Sequence, residues 1–245
     1  MAKTYIGLSG YSYKAWQGPT RFYPPDLRAT GFLSYYATRY ETVELDGVWY
    51  RLPTDKAVQT WIDQTPAGFL YAPKAHRQIT HVRRLKAEAL STLRVMLERL
   101  APLREAGRLG PILLQLPPNL KRDDARLAAF LGSLPTTHRW AMEFRHDSWH
   151  AGPVEQLLRQ YGVAWAAVDT DEHEAEHRDT AGFRYARLRK SRYTATELAR
   201  WAERLGKAGA QGQDCFVYCK HEDEGSPWLW ADELLKRLQE TAQGY

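Results

Sequence analysis

The runs PILLQL (residues 111–116), RWAMEFR (139–145) and VAWAAVD (163–169) decide the fold of this sequence. Each run is mostly apolar and has the length of one strand, and apolar residues at helical spacing lie between the runs. Strands that alternate with helices pair in parallel through right-handed crossovers. The stretch therefore predicts an α/β fold built on a parallel sheet.

The same alternation continues over the whole sequence. Five further strands are predicted at residues 5–9, 42–46, 69–74, 183–189 and 214–220, which makes eight. Thr194 and Glu197, ahead of one helical pattern, have the spacing of a capping box. The segment between Asp169 and Ala181 lacks helical periodicity, so we expect the sixth helix to be short or irregular. Eight repeats predict a TIM-like (β/α)8 barrel, a single domain over residues 1–245, with an open doubly wound sheet as the alternative.

The composition is typical of a globular protein, because 245 residues with 44% hydrophobic and 26% charged side chains can bury a sizeable core. No stretch approaches the ~20 apolar residues of a membrane span, and the first residues lack the apolar run of a signal peptide. Cys215 and Cys219 lie in one predicted strand about 13 Å apart, too far for a disulfide. Buried free thiols indicate a reducing compartment, so we expect a cytoplasmic protein with no membrane partner.

The net charge of +5 is modest, but arginine (24 residues) far outnumbers lysine (10). Guanidinium groups suit the bidentate binding of phosphate or carboxylate, although codon bias over solvated helix faces would give the same excess. No basic run is long enough to be a nucleic-acid tail. The charge therefore favours a small anionic ligand and leaves nucleic acid as a possible but not favoured partner.

Polar or charged side chains end the predicted strands, after apolar or small residues. Because side chains alternate faces along a strand, parity gives one inward row for each strand. The rows end in Glu44 and Asp46, Lys74, Gln115, Glu143 and Arg145, Asp169, Arg187 and Arg189, and either Lys220 and Glu222 or Cys219 and His221. A buried charge is costly unless it is paired, and barrel enzymes have their active sites at this end of the strands. We therefore predict a polar active-site pocket there, with ordinary strand termination in solvent as the alternative.

Four of these residues are candidate catalytic groups: Glu44, Lys74, Glu143 and Asp169. Glu44 and Glu143 could act as general acid and base, or share a divalent metal ion, which is the one cofactor we consider. The alternative is a pair of structural carboxylates neutralised by arginines. Lys74 could be a nucleophilic amine, although a fixed positive charge for the substrate or for Glu44 is the favoured role.

The remaining strand-end residues suggest a ligand. Arg145, Arg187 and Arg189, with Lys74 and Lys220, would make the pocket cationic enough to hold a phosphate or carboxylate. The aromatic residues Tyr11, Trp49 and Trp149 could stack on a sugar or a base, or they could simply pack under loops.

Residues 173–177, HEAEH, match the H-E-x-x-H signature of zinc proteases. That chemistry requires both imidazoles on one face of a buried helix. Here the flanking pairs Asp171-Glu172 and Arg178-Asp179 leave no apolar face to bury. We interpret the segment as a charged loop after the sixth strand, with a single histidine serving as a metal ligand as a weaker alternative.

Several stretches carry a family resemblance, in order: Gly7–Tyr13, Phe22–Pro25, Thr42–Pro53, Thr65–Phe69, Lys74–His81, Gly110–Pro118, Glu143–Trp149, Tyr185–Leu188 and Val217–Tyr218. In them the sequence resembles the YecE-like family, the domain of unknown function seventy-two. The resemblance implies a TIM-barrel-like fold and no established reaction. It also implies a common pocket of Glu44, Tyr50, Arg51, Lys74, His81, Gln115, Glu143, Arg145, His146, Asp169 and Arg187.

Two segments depart from the family pattern. Many members resemble Glu-Ile-Asn-Ser-Thr-Phe-Tyr where this sequence has ELDGVWY at residues 44–50. Many have Phe-Asn-Asn-Asp where this sequence has CKHED at residues 219–223. The second change adds charge at the end of the eighth strand and indicates a different ligand from that of other members.

Together these features favour an enzyme that acts on a polar anionic small molecule, such as a sugar phosphate or a nucleotide-like compound, by hydrolysis or isomerisation. Lys74 and Arg145 would stabilise charge, and His146 or His81 would shuttle protons. A metal-dependent phosphodiesterase or nucleic-acid-binding barrel is one alternative. A non-catalytic metabolite-binding protein is the other.

Overall fold

The computed structural model describes residues 2–220 and 226–243. These residues form eight strands: β1 Thr4–Ser9, β2 Thr42–Leu45, β3 Leu70–Pro73, β4 Ile112–Gln115, β5 Trp140–Glu143, β6 Ala164–Asp169, β7 Phe183–Leu188 and β8 Asp214–Cys219. Every strand lies within two residues of its predicted bounds. The short apolar runs were a sufficient signal because a parallel strand is buried on both faces.

The last five of the helices follow predicted apolar patterns at helical spacing, and the first three were not predicted. The helices are α1 Phe32–Tyr36, α2 Gly47–Tyr50, α3 Asp55–Asp63, α4 Ala89–Glu105, α5 Asp124–Leu131, α6 Gly152–Tyr161, α7 Ala195–Ala210 and α8 Pro227–Gln243. The capping box that starts α7 is confirmed: the Glu197 amide donates to Thr194 Oγ1 at 3.2 Å, and the Thr194 amide donates to Glu197 Oε2 at 2.8 Å. No helix lies between β6 and β7, as the missing periodicity predicted. None of the described helices is long and apolar enough to cross a membrane.

The strand order identifies the fold class. The eight strands follow one another as β3-β2-β1-β8-β7-β6-β5-β4. Parallel bridges between Tyr71 and Leu109 and between Lys74 and Leu113 join the two strands that end this order. Each strand thus neighbours the strands before and after it in sequence, which is the order of a TIM-like (β/α)8 barrel. The predicted fold class is confirmed, and the open doubly wound sheet is excluded.

Within this fold the chain forms two compact units. The first unit comprises Met1–Glu44, Val168–Glu176 and Phe183–Tyr245, and the second comprises Leu45–Ala167 and His177–Gly182. The first unit contains β1, β7 and β8 with most of β2, and the second contains β3 to β5 with most of β6.

In the first unit, Gly7 lets β1 and β2 approach closely. A Cβ atom at Gly7 would lie 2.2 Å from the carbonyl oxygen of Thr42, closer than any side chain tolerates. Tyr36 secures the same junction, since its hydroxyl accepts from the Leu8 amide at 2.7 Å and donates to the Thr42 carbonyl at 2.9 Å. The absence of a side chain at residue 7 therefore sets the spacing of the two strands that carry Ser9 and Glu44.

In the second unit, the register of β4 and β5 positions polar side chains. Leu113 pairs with Ala141, and Gln115 pairs with Glu143. Leu113 and Ala141 are fully buried, whereas Gln115 and Glu143 are buried polar residues at the last position of each strand. An apolar interior therefore ends in a polar pair at the carboxyl ends of these strands.

Candidate functional site

Glu143 is the centre of a polar cluster in the second unit. Gln115 Nε2 donates to Glu143 Oε1 at 2.8 Å, and Arg145 Nε donates to the same oxygen at 3.0 Å. Glu143 is 1% exposed, so an unpaired carboxylate here would be strongly destabilising. The amide and the guanidinium supply the pairing that lets a charge remain at the end of β5.

Lys74 extends this cluster from the end of β3. Its amide donates to the Leu45 carbonyl at 3.2 Å, which fixes the backbone at the point where β3 ends. Its ammonium lies 3.8 Å from Asp46 Oδ1 and 5.1 Å from the centroid of the Trp49 ring. A carboxylate and an aromatic face both stabilise a cation. These contacts suit Lys74 to the role of a fixed positive charge, which stays a prediction from the sequence.

His81 lies close to the same charges, on a π-helical turn at Gln78–Val82. Its Nδ1 lies 2.9 Å from Thr80 Oγ1, and its ring meets the Trp49 ring edge-on at 5.0 Å. Burial lowers the pKa of His81, and the positive charges of Lys74 and Arg145 lower it further. These effects favour the neutral form of the imidazole, and the negative charge of Glu143 opposes them in part.

The backbone after His81 is strained. Arg84 and Leu85 have φ values of 50° and 61°, a left-handed region that costs bulky residues about 1 kcal/mol or more. Arg84 Nη2 donates to Asn119 Oδ1 at 3.3 Å. Both π-helical turns and left-handed residues other than glycine are enriched at functional sites. Arg84, Lys74 and Arg145 all act on His81 through their positive charges, and these three residues are named the cationic cluster below.

The sequence prediction missed Asp46 as the partner of Lys74, and it missed Arg84. One signal was present: residues 64–87 carry five Lys or Arg residues and no Asp or Glu. Such a stretch indicates a local excess of positive charge. Nothing in the sequence indicates the π-helical turn, because Ile79, Thr80 and Val82 also occur in ordinary helices and strands.

Glu44 belongs to a separate, fully buried cluster in the first unit. Arg187 Nη2 and the Tyr185 hydroxyl each donate to its carboxylate at 2.6 Å, and Ser9 Oγ donates as well. Glu44 and Arg187 are both 0% exposed. This is the structural, arginine-neutralised carboxylate considered as the alternative to general acid–base catalysis. A proton exchanged with a ligand would have to cross packed side chains, so Glu44 has no part in the catalysis proposed below.

Asp169 secures the loop that replaces the sixth helix. Its Oδ1 accepts from the Ala175 amide at 3.1 Å, and its Oδ2 accepts from Trp201 Nε1 at 3.2 Å. Lys190 Nζ lies 3.8 Å from Oδ1 and 2.7 Å from Glu197 Oε1. Asp169 therefore connects its own loop to α7, and Lys190 is its basic neighbour, which the sequence prediction missed.

The family model described as "Protein of unknown function DUF72" matches residues 5–245. The chain belongs to this family. The DUF72 chain is 27% identical to UPF0759 protein YunF of Bacillus subtilis, over 96% of this chain and 94% of that protein. The resemblance to the YecE-like family is thereby confirmed.

Solved structures of the DUF72 family have the same fold. The chain is similar to a DUF72 family protein (TM1631) from Thermotoga maritima, with a TM-score of 0.82 and 23% identity, over 97% of this chain and 99% of that one. It is also similar to a DUF72 family protein (EF0366) from Enterococcus faecalis V583, with a TM-score of 0.74 and 18% identity, over 98% of each chain. The likeness extends over nearly the whole length of the chain.

Two of the predicted ligand-binding residues of this DUF72 chain have structural partners instead. Trp149 is 1% exposed, and its Nε1 donates to the Leu120 carbonyl at 2.7 Å. Its ring packs within the interior, so the expected stacking on a ligand is wrong for this residue. His146 Nδ1 accepts from the Ser148 amide at 3.1 Å and thus caps the short 3-10 helix Asp147–Trp149. The presence of an aromatic residue in the sequence does not by itself show whether its ring packs in the interior or contacts a ligand.

The other ligand-binding candidates are more accessible. Tyr50 and Arg51 are exposed, and Trp49 lies edge-on to Tyr50 at 4.6 Å. Tyr11, in the first unit, is half-buried, and its carbonyl accepts from the Tyr23 hydroxyl. Lys220 is also half-buried, and its amide donates to the Leu188 carbonyl at 2.9 Å. The alternatives His221 and Glu222 lie outside the described residues.

The HEAEH segment of the DUF72 chain is not helical. The His173 amide donates to Thr170 Oγ1 at 3.1 Å, and Glu174 pairs with Arg204 at 3.0 Å. The interpretation as a charged loop is confirmed. Over residues 2–220 and 226–243, no group of three or more His, Cys, Asp or Glu side chains is placed to hold a metal ion.

Proposed function

We propose that this DUF72 protein is an enzyme that binds a polar anionic small molecule at the carboxyl ends of β3, β4 and β5. One observation carries the proposal: Lys74 and His81 lie against the same Trp49 ring, at 5.1 Å and 5.0 Å from its centroid. Burial lowers the pKa of His81, and the positive charges of Lys74 and Arg145 lower it further. Positive charges grouped around a neutral base are suited to an anionic substrate that gains or loses a proton.

Lys74 and Arg145 would bind the anion. The Lys74 side chain is only 11% exposed, so its charge acts in a medium less polar than water and attracts an anion more strongly. Arg145 uses its Nε for Glu143, and its side chain is 30% exposed. Its terminal N–H groups therefore suit the two oxygens of a phosphate or a carboxylate.

His81 would transfer the proton. In this role Nδ1 would donate its hydrogen to Thr80 Oγ1, 2.9 Å away, which would leave Nε2 unprotonated to accept a proton from a substrate. Hydrolysis and isomerisation, the two reaction types predicted, both require a group that takes up a proton near neutral pH. An anion bound beside Lys74 and Arg145 would offset their charges and raise the pKa of His81. Substrate binding would thereby increase the basicity of this group.

Glu143 would act as a positioning residue. It accepts from Gln115 and Arg145 at one oxygen and is almost fully buried, which suits it to orient the guanidinium.

We also infer that the protein works in the cytoplasm, because Cys215 and Cys219 are buried free thiols. The expected partner is a small molecule, with nucleic acid not favoured.

Calorimetric titration with inorganic phosphate, sugar phosphates and small carboxylates tests the binding site. We expect at least one anion to bind the wild type, and Lys74→Gln and Arg145→Gln each to weaken it about tenfold or more. Arg99→Gln is the matched control, because it removes an exposed positive charge of α4 in the same unit. If no anion binds, or if Lys74→Gln binds as tightly as Arg99→Gln, the proposal is wrong.

Phosphorus and proton NMR of the same mixtures tests catalysis. A compound that binds should be hydrolysed or isomerised by the wild type, and His81→Gln should reduce its turnover about a hundredfold while its binding changes little. Equal turnover in wild type and His81→Gln would contradict the role of His81. Tight binding without any turnover would favour the non-catalytic alternative.

A further inference from the structure

Two strongly exposed apolar side chains border the cationic cluster. Tyr50 is 69% exposed and Val82 is 57% exposed. Tyr50 directly follows Trp49, Val82 directly follows His81, and the rings of Trp49 and His81 are in contact at 5.0 Å. Grouped exposed apolar side chains mark binding surfaces more often than scattered ones do. Tyr50 and Val82 thus adjoin, along the chain, the two rings that lie beside the charges proposed to hold an anion.

Trp49 adds an unsatisfied donor to the same place. Its Nε1 is buried and has no hydrogen-bond acceptor among the described residues. A buried donor without an acceptor costs about 1–3 kcal/mol, so such a group calls for a specific explanation. The ring is surrounded by Lys74, Tyr50 and His81, all of which belong to the proposed site or its border. The unsatisfied donor therefore adds an unexplained polar group to the border of the proposed site.

We propose that the anion bound at this site carries an aromatic or other planar group, which lies against Tyr50 and Val82. The inference rests on the proposed function. Of the two substrate classes considered, it favours nucleotide-like compounds over sugar phosphates. A ring with many hydroxyl groups would lose water contacts against Val82, which offers no hydrogen bond. A planar apolar group gains from contact with both side chains, and the guanidinium of the half-buried Arg84 offers a further surface for stacking.

Phenyl phosphate and methyl phosphate make a matched pair of probes, because they have the same charge and differ in the planar group. Calorimetry should show that the wild type binds phenyl phosphate about tenfold more tightly than methyl phosphate. Tyr50→Ala should reduce this preference to about twofold, whereas Tyr50→Phe should retain it. Leu229→Ala, which removes a side chain of α8 that is 60% exposed, should also retain it.

The outcomes separate the two proposals. If inorganic phosphate and both esters fail to bind, and no carboxylate binds, the proposed function is wrong and the inference is overturned with it. If both esters bind equally and Lys74→Gln weakens both, the proposed function stands and the inference is wrong. A preference for phenyl phosphate that survives in Tyr50→Ala and in Val82→Ala also overturns the inference, because the planar group then lies elsewhere.

Discussion

Arg187 and Glu44 form an ion pair that water does not reach: Nη2 lies 2.6 Å from Oε1, and both side chains are 0% exposed. The two residues are 143 positions apart in sequence, on β7 and β2, and both belong to the first unit. Removing one partner of a buried pair leaves an uncompensated charge, whereas removing both does not. The pair is therefore a stability element whose energetics can be separated by a double-mutant cycle.

Arg187→Met should lower the free energy of unfolding by about 3–5 kcal/mol, since it leaves the Glu44 carboxylate buried without its cation. Adding Glu44→Gln should recover part of that loss. Urea denaturation followed by tryptophan fluorescence measures both. Lys207→Gln, which breaks an exposed pair with Glu203 on α7, is the control and should leave the midpoint unchanged. An Arg187→Met midpoint equal to that of the control would contradict the prediction.

The pKa of His81 should respond to its neighbours with opposite signs. Lys74→Gln and Arg145→Gln should each raise it, because both cations depress it, and Glu143→Gln should lower it further. NMR titration of the imidazole resonances measures these shifts, with Arg99→Gln as the control that leaves the pKa unchanged. A rise in Glu143→Gln would show that the imidazole does not sense this carboxylate.

The lowered pKa of His81 also determines how it affects stability. The unfolded chain binds a proton more readily than the folded one, so this group stabilises the fold above its ordinary pKa of 6.5, and that contribution falls as pH decreases toward the folded pKa. Burial lowers the pKa values of His76 and His138 as well, in the same direction. His81→Gln should therefore reduce, and not abolish, the loss of stability on acidification. An unchanged pH dependence of the urea midpoint would contradict this.

The strands and their polar ends could be predicted because they depend on local sequence. Trp140, Ala141 and Met142 are apolar and Glu143 is not, and parity then places Glu143 inward. The partners could not be predicted in the same way. Asp46 reaches Lys74 from a different strand end, and nothing near Lys74 in sequence indicates it.

Burial was the second property that the sequence pattern did not reveal. Arg187 follows an apolar residue in β7 and Arg145 follows Phe144 just after β5, yet the Arg187 side chain is fully enclosed and the Arg145 side chain is 30% exposed. The difference arises from the surroundings of each side chain: Arg187 donates to Glu44 and Ser9, and Tyr185 donates to the same Glu44 carboxylate. The charged residues predicted at the strand ends therefore belong to two different places: the buried Glu44–Arg187 pair and the candidate site around Glu143.

Two glycines should have opposite effects when replaced by alanine. Gly7→Ala introduces a Cβ 2.2 Å from the Thr42 carbonyl oxygen, so β1 and β2 must separate, and we expect a loss of about 2–3 kcal/mol. Gly206 lies in α7 with open space around it, so Gly206→Ala should stabilise by about 0.5–1 kcal/mol through helix propensity. Urea denaturation compares them. If Gly7→Ala is as stable as Gly206→Ala, the close approach of the two strands does not hold in solution.

Asp169→Asn should loosen the loop after β6. The Ala175 amide would then donate to a neutral oxygen, and Lys190 would lose one of its two carboxylates. Hydrogen exchange read by mass spectrometry should show faster exchange across residues 170–176, with no change in α4. Glu203→Gln, an exposed change on α7, is the control. Equal protection of the loop in both variants would mean that Asp169 does not anchor it.

Glu143→Gln should separate binding from turnover. The variant removes a negative charge beside the anion, so inorganic phosphate should bind at least as tightly as it does to the wild type. The bond from Arg145 Nε loses its charge assistance, so the guanidinium is oriented less well and turnover of any substrate found should fall about tenfold or more. Glu203→Gln is again the control. A Glu143→Gln variant that binds and turns over every compound as the wild type does would show that Glu143 does not position Arg145 for catalysis.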